Sequence, residues 1–90
     1  MANVVQTEHP HIVRRDGVCG DEPLIDGLRV TVRHVVTLHL QGEAIPDIAE
    51  ALGLTEAQVF HALSYYFDHR EEIDALIALE DQAHARFPSG

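Results

Sequence analysis

Residues 45–64 place small and branched apolar side chains where two short crossed helices must meet, without a single lysine or arginine among them. Ile48 and Leu52 lie four apart on the first helix, and Ala49 is small enough to let the second approach closely. Gly53 can take the positive φ of a tight inter-helix turn, Leu54 closes the core, and Val59 and Ala62 return from the second helix. This spacing predicts a helix-turn-helix, whose second helix ordinarily enters a DNA groove. Here that helix offers Glu56, Gln58, Phe60, His61 and Ser64, which is poor chemistry for phosphates. The shape points to DNA and the charge to protein.

The rest of the charge sharpens that conflict. Fifteen acids face six arginines and no lysine, for a formal net charge of −9. Residues 1–44 hold six acids and four arginines, residues 45–68 four acids and no base, and residues 69–90 five acids and two arginines. Non-specific DNA affinity comes from neutralising phosphates and releasing counterions, so this chain starts from repulsion. A field of this sign instead steers basic proteins towards it.

Ninety residues make one domain, and a 46% apolar content argues against wholesale disorder. Cys19 is the sole cysteine, so no internal disulfide can form. The first thirty residues contain no signal-peptide run, and no stretch approaches the roughly 20 apolar residues of a spanning helix. A soluble cytoplasmic protein, with no membrane partner, is expected.

Along the chain, residues 1–10 read as a flexible N-terminus, 11–79 as a single helix-turn-helix domain with N-terminal strands, and 80–90 as a C-terminal tail. Residues 11–30 read as short strands with tight corners, Asp26-Gly27 being the typical two-residue turn. Too few strands are visible for an independent sheet, so they must pack on the helices or pair with a second copy. Thr31 is an N-cap for a helix carrying Val32, Val35, Val36 and Leu40, which Gly42 stops. The next helix begins near Pro46 and runs to Leu52. Thr55 and Gln58 form a capping box for a third helix buried through Val59, Ala62, Leu63 and Tyr66. Ile73, Leu76, Ile77 and Leu79 keep helical spacing beyond Asp68, either continuous with the third helix or kinked near His69-Arg70. The fold class is mainly α, a helix-turn-helix preceded by a short β-hairpin or extended region.

The run His11-Ile12-Val13, Gly17-Val18-Cys19-Gly20 and Pro23 to Val32 resembles a large prokaryotic family of small uncharacterised proteins, described as VapB-type antitoxins of a domain-of-unknown-function class. Downstream, Gly42, Pro46-Asp47-Ile48-Ala49, Leu54-Thr55, Val59, Ala62 to Tyr66, His69 and Glu71-Glu72-Ile73 continue the similarity, which covers roughly residues 9–77. Asp21 stands where the family has a second glycine, and Leu28 where it has threonine. The resemblance implies a homeodomain-like helical fold, a homodimer, and genetic pairing with a PIN-like nuclease toxin.

Candidate sites follow from charge and exposure. Arg14, Arg15, Arg29 and Arg33 all precede the helix-turn-helix; they either contact phosphates, doubled by a two-fold dimer, or pair with Asp16, Asp21, Glu22 and Asp26. On the second helix Gln58 can read adenine and His61 can touch a phosphate. Phe60 and Phe67, seven apart, suit an apolar contact with another chain. Ile73, Leu76 and Ile77 either finish the core or form an acid-flanked helix that docks on a basic groove. Seven histidines invite a metal, but His9-x-His11 with Cys19 lacks zinc-type spacing, His34 and His39 diverge around a helix, and His61 and His69 have no matched carboxylate. No metal site, no cofactor and no catalytic set are expected, since Cys19 with His11 is an isolated pair and adjacent acids point apart. The expected function is that of a dimeric antitoxin occluding a basic PIN-like ribonuclease, with DNA bound mainly in complex with the toxin. The competing reading is an acidic dimeric interaction module that has lost DNA binding.

Overall fold

Thr31 and Thr55 each open a helix with a reciprocal capping box, and between them they fix the helical half of the molecule. The computed structural model describes residues 4–86, with side chains as far as 83. Thr31 Oγ1 accepts from the His34 N–H at 3.0 Å, and His34 Nδ1 accepts from the Thr31 N–H at 3.1 Å. This box starts α1, Val32–Leu40. Thr55 Oγ1 accepts from the Gln58 N–H at 3.1 Å while Gln58 Oε1 accepts from the Thr55 N–H at 2.9 Å, starting α3, Glu56–Asp68. Between them α2, Ile45–Leu52, carries a proline in its first turn but no side-chain cap, and ends at Gly53 with φ 69°. The Leu54 N–H closes that turn onto the Ala49 carbonyl at 2.8 Å.

The N-terminal half is a three-stranded antiparallel sheet in chain order: β1, Val4–Gln6; β2, Ile12–Arg15; β3, Leu24–Ile25. A 3-10 turn, Cys19–Asp21, lies between β2 and β3. Val5 pairs with Arg14 and Val13 with Leu24, so the sheet closes within one chain. Two expectations are corrected by this. The flexible segment 1–10 contains β1, which pairs because the turn that follows it is pinned by the Thr7 hydroxyl donating to the Ile12 carbonyl at 2.7 Å; residues 1–3 lie outside the described part. The strands also need no second copy to find partners, which removes that argument for a dimer.

Helix α4, Arg70–Arg86, is separated from α3 by His69 at φ −134°, ψ 45°. The kink lets α4 fold back beside α1. It also corrects the 80–90 tail, since helix continues to Arg86. Ile73 is fully buried, and Leu76 and Ile77 pack against the same core as Val35, Val36, Ile48 and Val59. Of the two readings open for these residues, completing the core or docking on a partner, Ile73 takes the first, and Leu76 and Ile77 pack partly buried against it, because the bend at His69 turns their stripe inward.

Candidate functional site

The buried stripe of α3, Val59, Ala62, Leu63 and Tyr66, leaves Glu56, Phe60, Ser64 and Phe67 on the outer face. Phe60 is 58% exposed and Phe67 50%. Together with Leu63, Ser64 and Asp68 they line a shallow groove of about 400 Å³. Its far end carries the guanidinium of Arg70, 4.9 Å from the centre of the Phe67 ring, while His39 approaches that ring edge-on at 6.4 Å. Within the groove itself the only charge is the Asp68 carboxylate.

The arginines ahead of the helices are mostly committed inward. Arg14 donates to the Glu72 carboxylate, to Tyr65 Oη at 2.9 Å and to the Asp21 carbonyl at 3.1 Å. Arg33 donates to Glu22 at 3.0 Å and to Glu80. Arg15 lies 3.5 Å from Asp26, and Arg29 is exposed. Glu22 and Asp26 are among the acids expected as neighbours, but Glu72 and Glu80 come from α4, which sequence proximity could not indicate. Gln58 is occupied by its capping box, and His61 rests against His11 with ring centres 4.4 Å apart.

The electrostatic consequences are local. Burial alone would raise the Glu72 carboxyl, but hydrogen bonds from Arg14 and Tyr65 outweigh it and hold it below its ordinary value. The Tyr65 phenol is pushed up to about 12 by burial and by donating to Glu72 at 2.6 Å. Tyr66 is raised by the same combination, with Asp74 as its acceptor at 2.9 Å. Burial opposes the charge of Arg14 and Arg33, yet their carboxylate partners leave both guanidinium groups above their usual value. His34 is lowered by burial and by neighbouring Arg33, which suits an Nδ1 that must stay unprotonated to accept from Thr31.

A second constellation was missed from sequence. His61 and Tyr65 on α3 and His69 at its C-cap stand four apart, and the turn between β1 and β2 lays His9 and His11 across them. Tyr65 stacks on His69 at 4.3 Å and 20°, and His9 meets Tyr65 edge-on at 5.4 Å. Glu8, His9 and His69 each offer a ligand atom, all within 4.8 Å of one another, so this group has the donors to hold a metal ion. Of the His61/His69 pair weighed from sequence only His69 takes part; its companions, Glu8 and His9, arrive from the β1–β2 turn. Cys19 is not part of the row, its thiol meeting the Arg29 carbonyl at 3.5 Å.

Among the described residues no helix is long and apolar enough to cross a membrane. No curated protein and no solved structure matches the chain at a significant level. Residues 12–66, from the first residue of β2 to the Tyr66 that anchors α3, match the family model described as Protein of unknown function (DUF433). That span is more than half of the chain and contains both capping boxes and the Gly53 turn, and the protein belongs to this family.

Proposed function

We propose that the protein is the antitoxin of a type II toxin–antitoxin pair, neutralising a basic PIN-like ribonuclease by direct binding. The observation that carries the reading is the division of labour among its charges. Arg14 and Arg33 are tied to internal carboxylates, while the outer face of α3 presents Phe60, Phe67, Glu56 and Asp68, with Arg70 over the Phe67 ring as the base at its edge. An aromatic pair beside acids is a complement for a basic polypeptide with apolar anchors, and a poor one for a phosphate backbone. On a ribonuclease, the acidic face covers the surface that binds RNA and competes for its charge. Any operator binding then draws its phosphate contacts from the toxin, and two copies of the complex match two half-sites.

The test is co-expression with a neighbour-encoded nuclease. The expected result is a stable complex, loss of RNA cleavage, and a sequence-selective gel shift only when both proteins are present. A nuclease that neither binds nor is inhibited overturns the antitoxin reading. A second reading, an acidic interaction module that has lost DNA binding, is favoured by the engagement of Gln58 and His61 in internal contacts. Partner binding without a gel shift for the complex, across a salt series, selects it.

A further inference from the structure

We infer that Glu8, His9 and His69, with Asp68 beside them, form a site for a divalent transition-metal cation of the zinc class, which clips the β1–β2 turn to the joint between α3 and α4. Two imidazoles with carboxylates are a donor set suited to such ions and not to calcium or magnesium. The three principal ligand atoms lie within 4.8 Å of one another. In a tetrahedral zinc site, with metal–ligand bonds of about 2.0–2.1 Å, ligand atoms stand roughly 3.3 Å apart. Small side-chain rotations bring the wider pairs in and part His69 Nε2 from Glu8 Oε1, which already touch.

A second observation points the same way. His9 Nε2 is shielded from solvent and lies 2.7 Å from Asp68 Oδ2, yet makes no hydrogen bond. The buried ring nitrogen is thus left beside a carboxylate with no hydrogen bond, and a cation between the two groups would satisfy both once they part to coordination distance. Opposite them, His69 Nε2 touches Glu8 Oε1, 61 positions away in the chain.

The surroundings hold the imidazoles in place. His69 stacks on Tyr65 and His9 meets the same ring edge-on, and the Tyr65 hydroxyl is fixed by Arg14 and Glu72. Oriented neighbours of this kind tune metal affinity. Asp68 and His69 also border an open groove of about 420 Å³, which gives the ion an entry path and a position for water. Because the ligands come from both ends of the domain, an ion that binds only the folded chain stabilises it.

The experiment uses the untagged, metal-stripped full chain, titrated with Co²⁺ and then Zn²⁺. The expected result is one equivalent of Co²⁺ with the visible absorption of a four-coordinate nitrogen–oxygen site, displaced by Zn²⁺, and a higher melting temperature with Zn²⁺. His9→Gln and His69→Gln each weaken binding by at least about tenfold, the scale on which a metal site responds to lost partners. Glu8→Gln, a change at an exposed side chain that leaves packing intact, weakens it as well. His39→Gln leaves it unchanged. Absence of stoichiometric binding overturns the inference, as does binding that survives both histidine variants while they remain folded by circular dichroism. A thiolate charge-transfer band, placing the ion on Cys19, also overturns it.

Discussion

Arg14 on β2 and Glu72 on α4, 58 positions apart, form one ion pair that the Tyr65 hydroxyl completes from α3. Three elements meet through three side chains, each half-shielded or buried. Arg14 therefore ties three elements of the fold together, and its removal breaks a partly buried charge pair as well as removing a surface cation.

Replacing Glu72 with Gln is expected to cost about 1.5–3 kcal/mol at neutral pH, the range for a hydrogen bond to a charged group. The carboxyl sits below its ordinary value in the folded chain. Its contribution is therefore complete above the ordinary carboxylate value near 4.5 and is lost as pH falls through the lower folded one. Urea melts of the wild type and Glu72→Gln should converge on acidification. A constant difference down to about pH 3, well below the usual carboxylate value, assigns the loss to packing instead.

Much of the fold was readable because its signals are local. Thr31, Thr55 with Gln58, and Gly53 act within four residues of themselves, so a capping box or a left-handed turn shows in the sequence. The second half of the Thr31 box was not seen, because histidine is not the usual Glu or Gln partner. What failed was long-range. Val4–Gln6 carries no strong strand pattern and becomes β1 only through its pairing with β2. For the Ile73 stripe the sequence left a continuous helix and a kink near His69-Arg70 both open, since no Gly or Pro marks the break; His69 supplies the kink. The histidine row was hidden for the same reason, since its two halves lie at opposite ends of the chain.

His34 gives α1 a pH-dependent start. Its imidazole is held below the ordinary 6.5, first by burial and then by Arg33, against the opposite pull of Glu22 and Glu80. The capping contribution is thus full above that ordinary value and is lost as pH falls through the folded one. His34→Gln restores the standard box and removes this dependence. Between pH 7 and 5, spanning the ordinary histidine value, the melting temperature of the variant should fall less than that of the wild type. Parallel falls would show that His34 is not the titrating contact.

Gly53→Ala isolates the cost of the helix-turn-helix corner. At φ 69° an added Cβ meets nothing within 4 Å, so only backbone conformation is penalised. The expected loss is about 1–2 kcal/mol, and less for Gly53→Asn, which tolerates the left-handed region. For a domain of this size that is a fall of roughly 4–8 °C per kcal/mol in calorimetry. An unchanged melting temperature for Gly53→Ala would mean that the turn relaxes to another geometry.

Phe60 and Phe67 should separate binding from folding. Both rings are at least half exposed, so Phe60→Ser and Phe67→Ser are expected to shift stability by no more than about 0.5 kcal/mol, as surface changes do. Ile73→Ala, at a fully buried site, should cost about 2–5 kcal/mol. Partner capture by the co-expressed nuclease should reverse the ranking. Losing an aromatic anchor at the centre of an interface costs on the order of 2 kcal/mol or more, about thirtyfold in affinity. Full capture by the double serine variant would move the contact off α3, and a large loss of stability in that variant would show that the rings support the core after all.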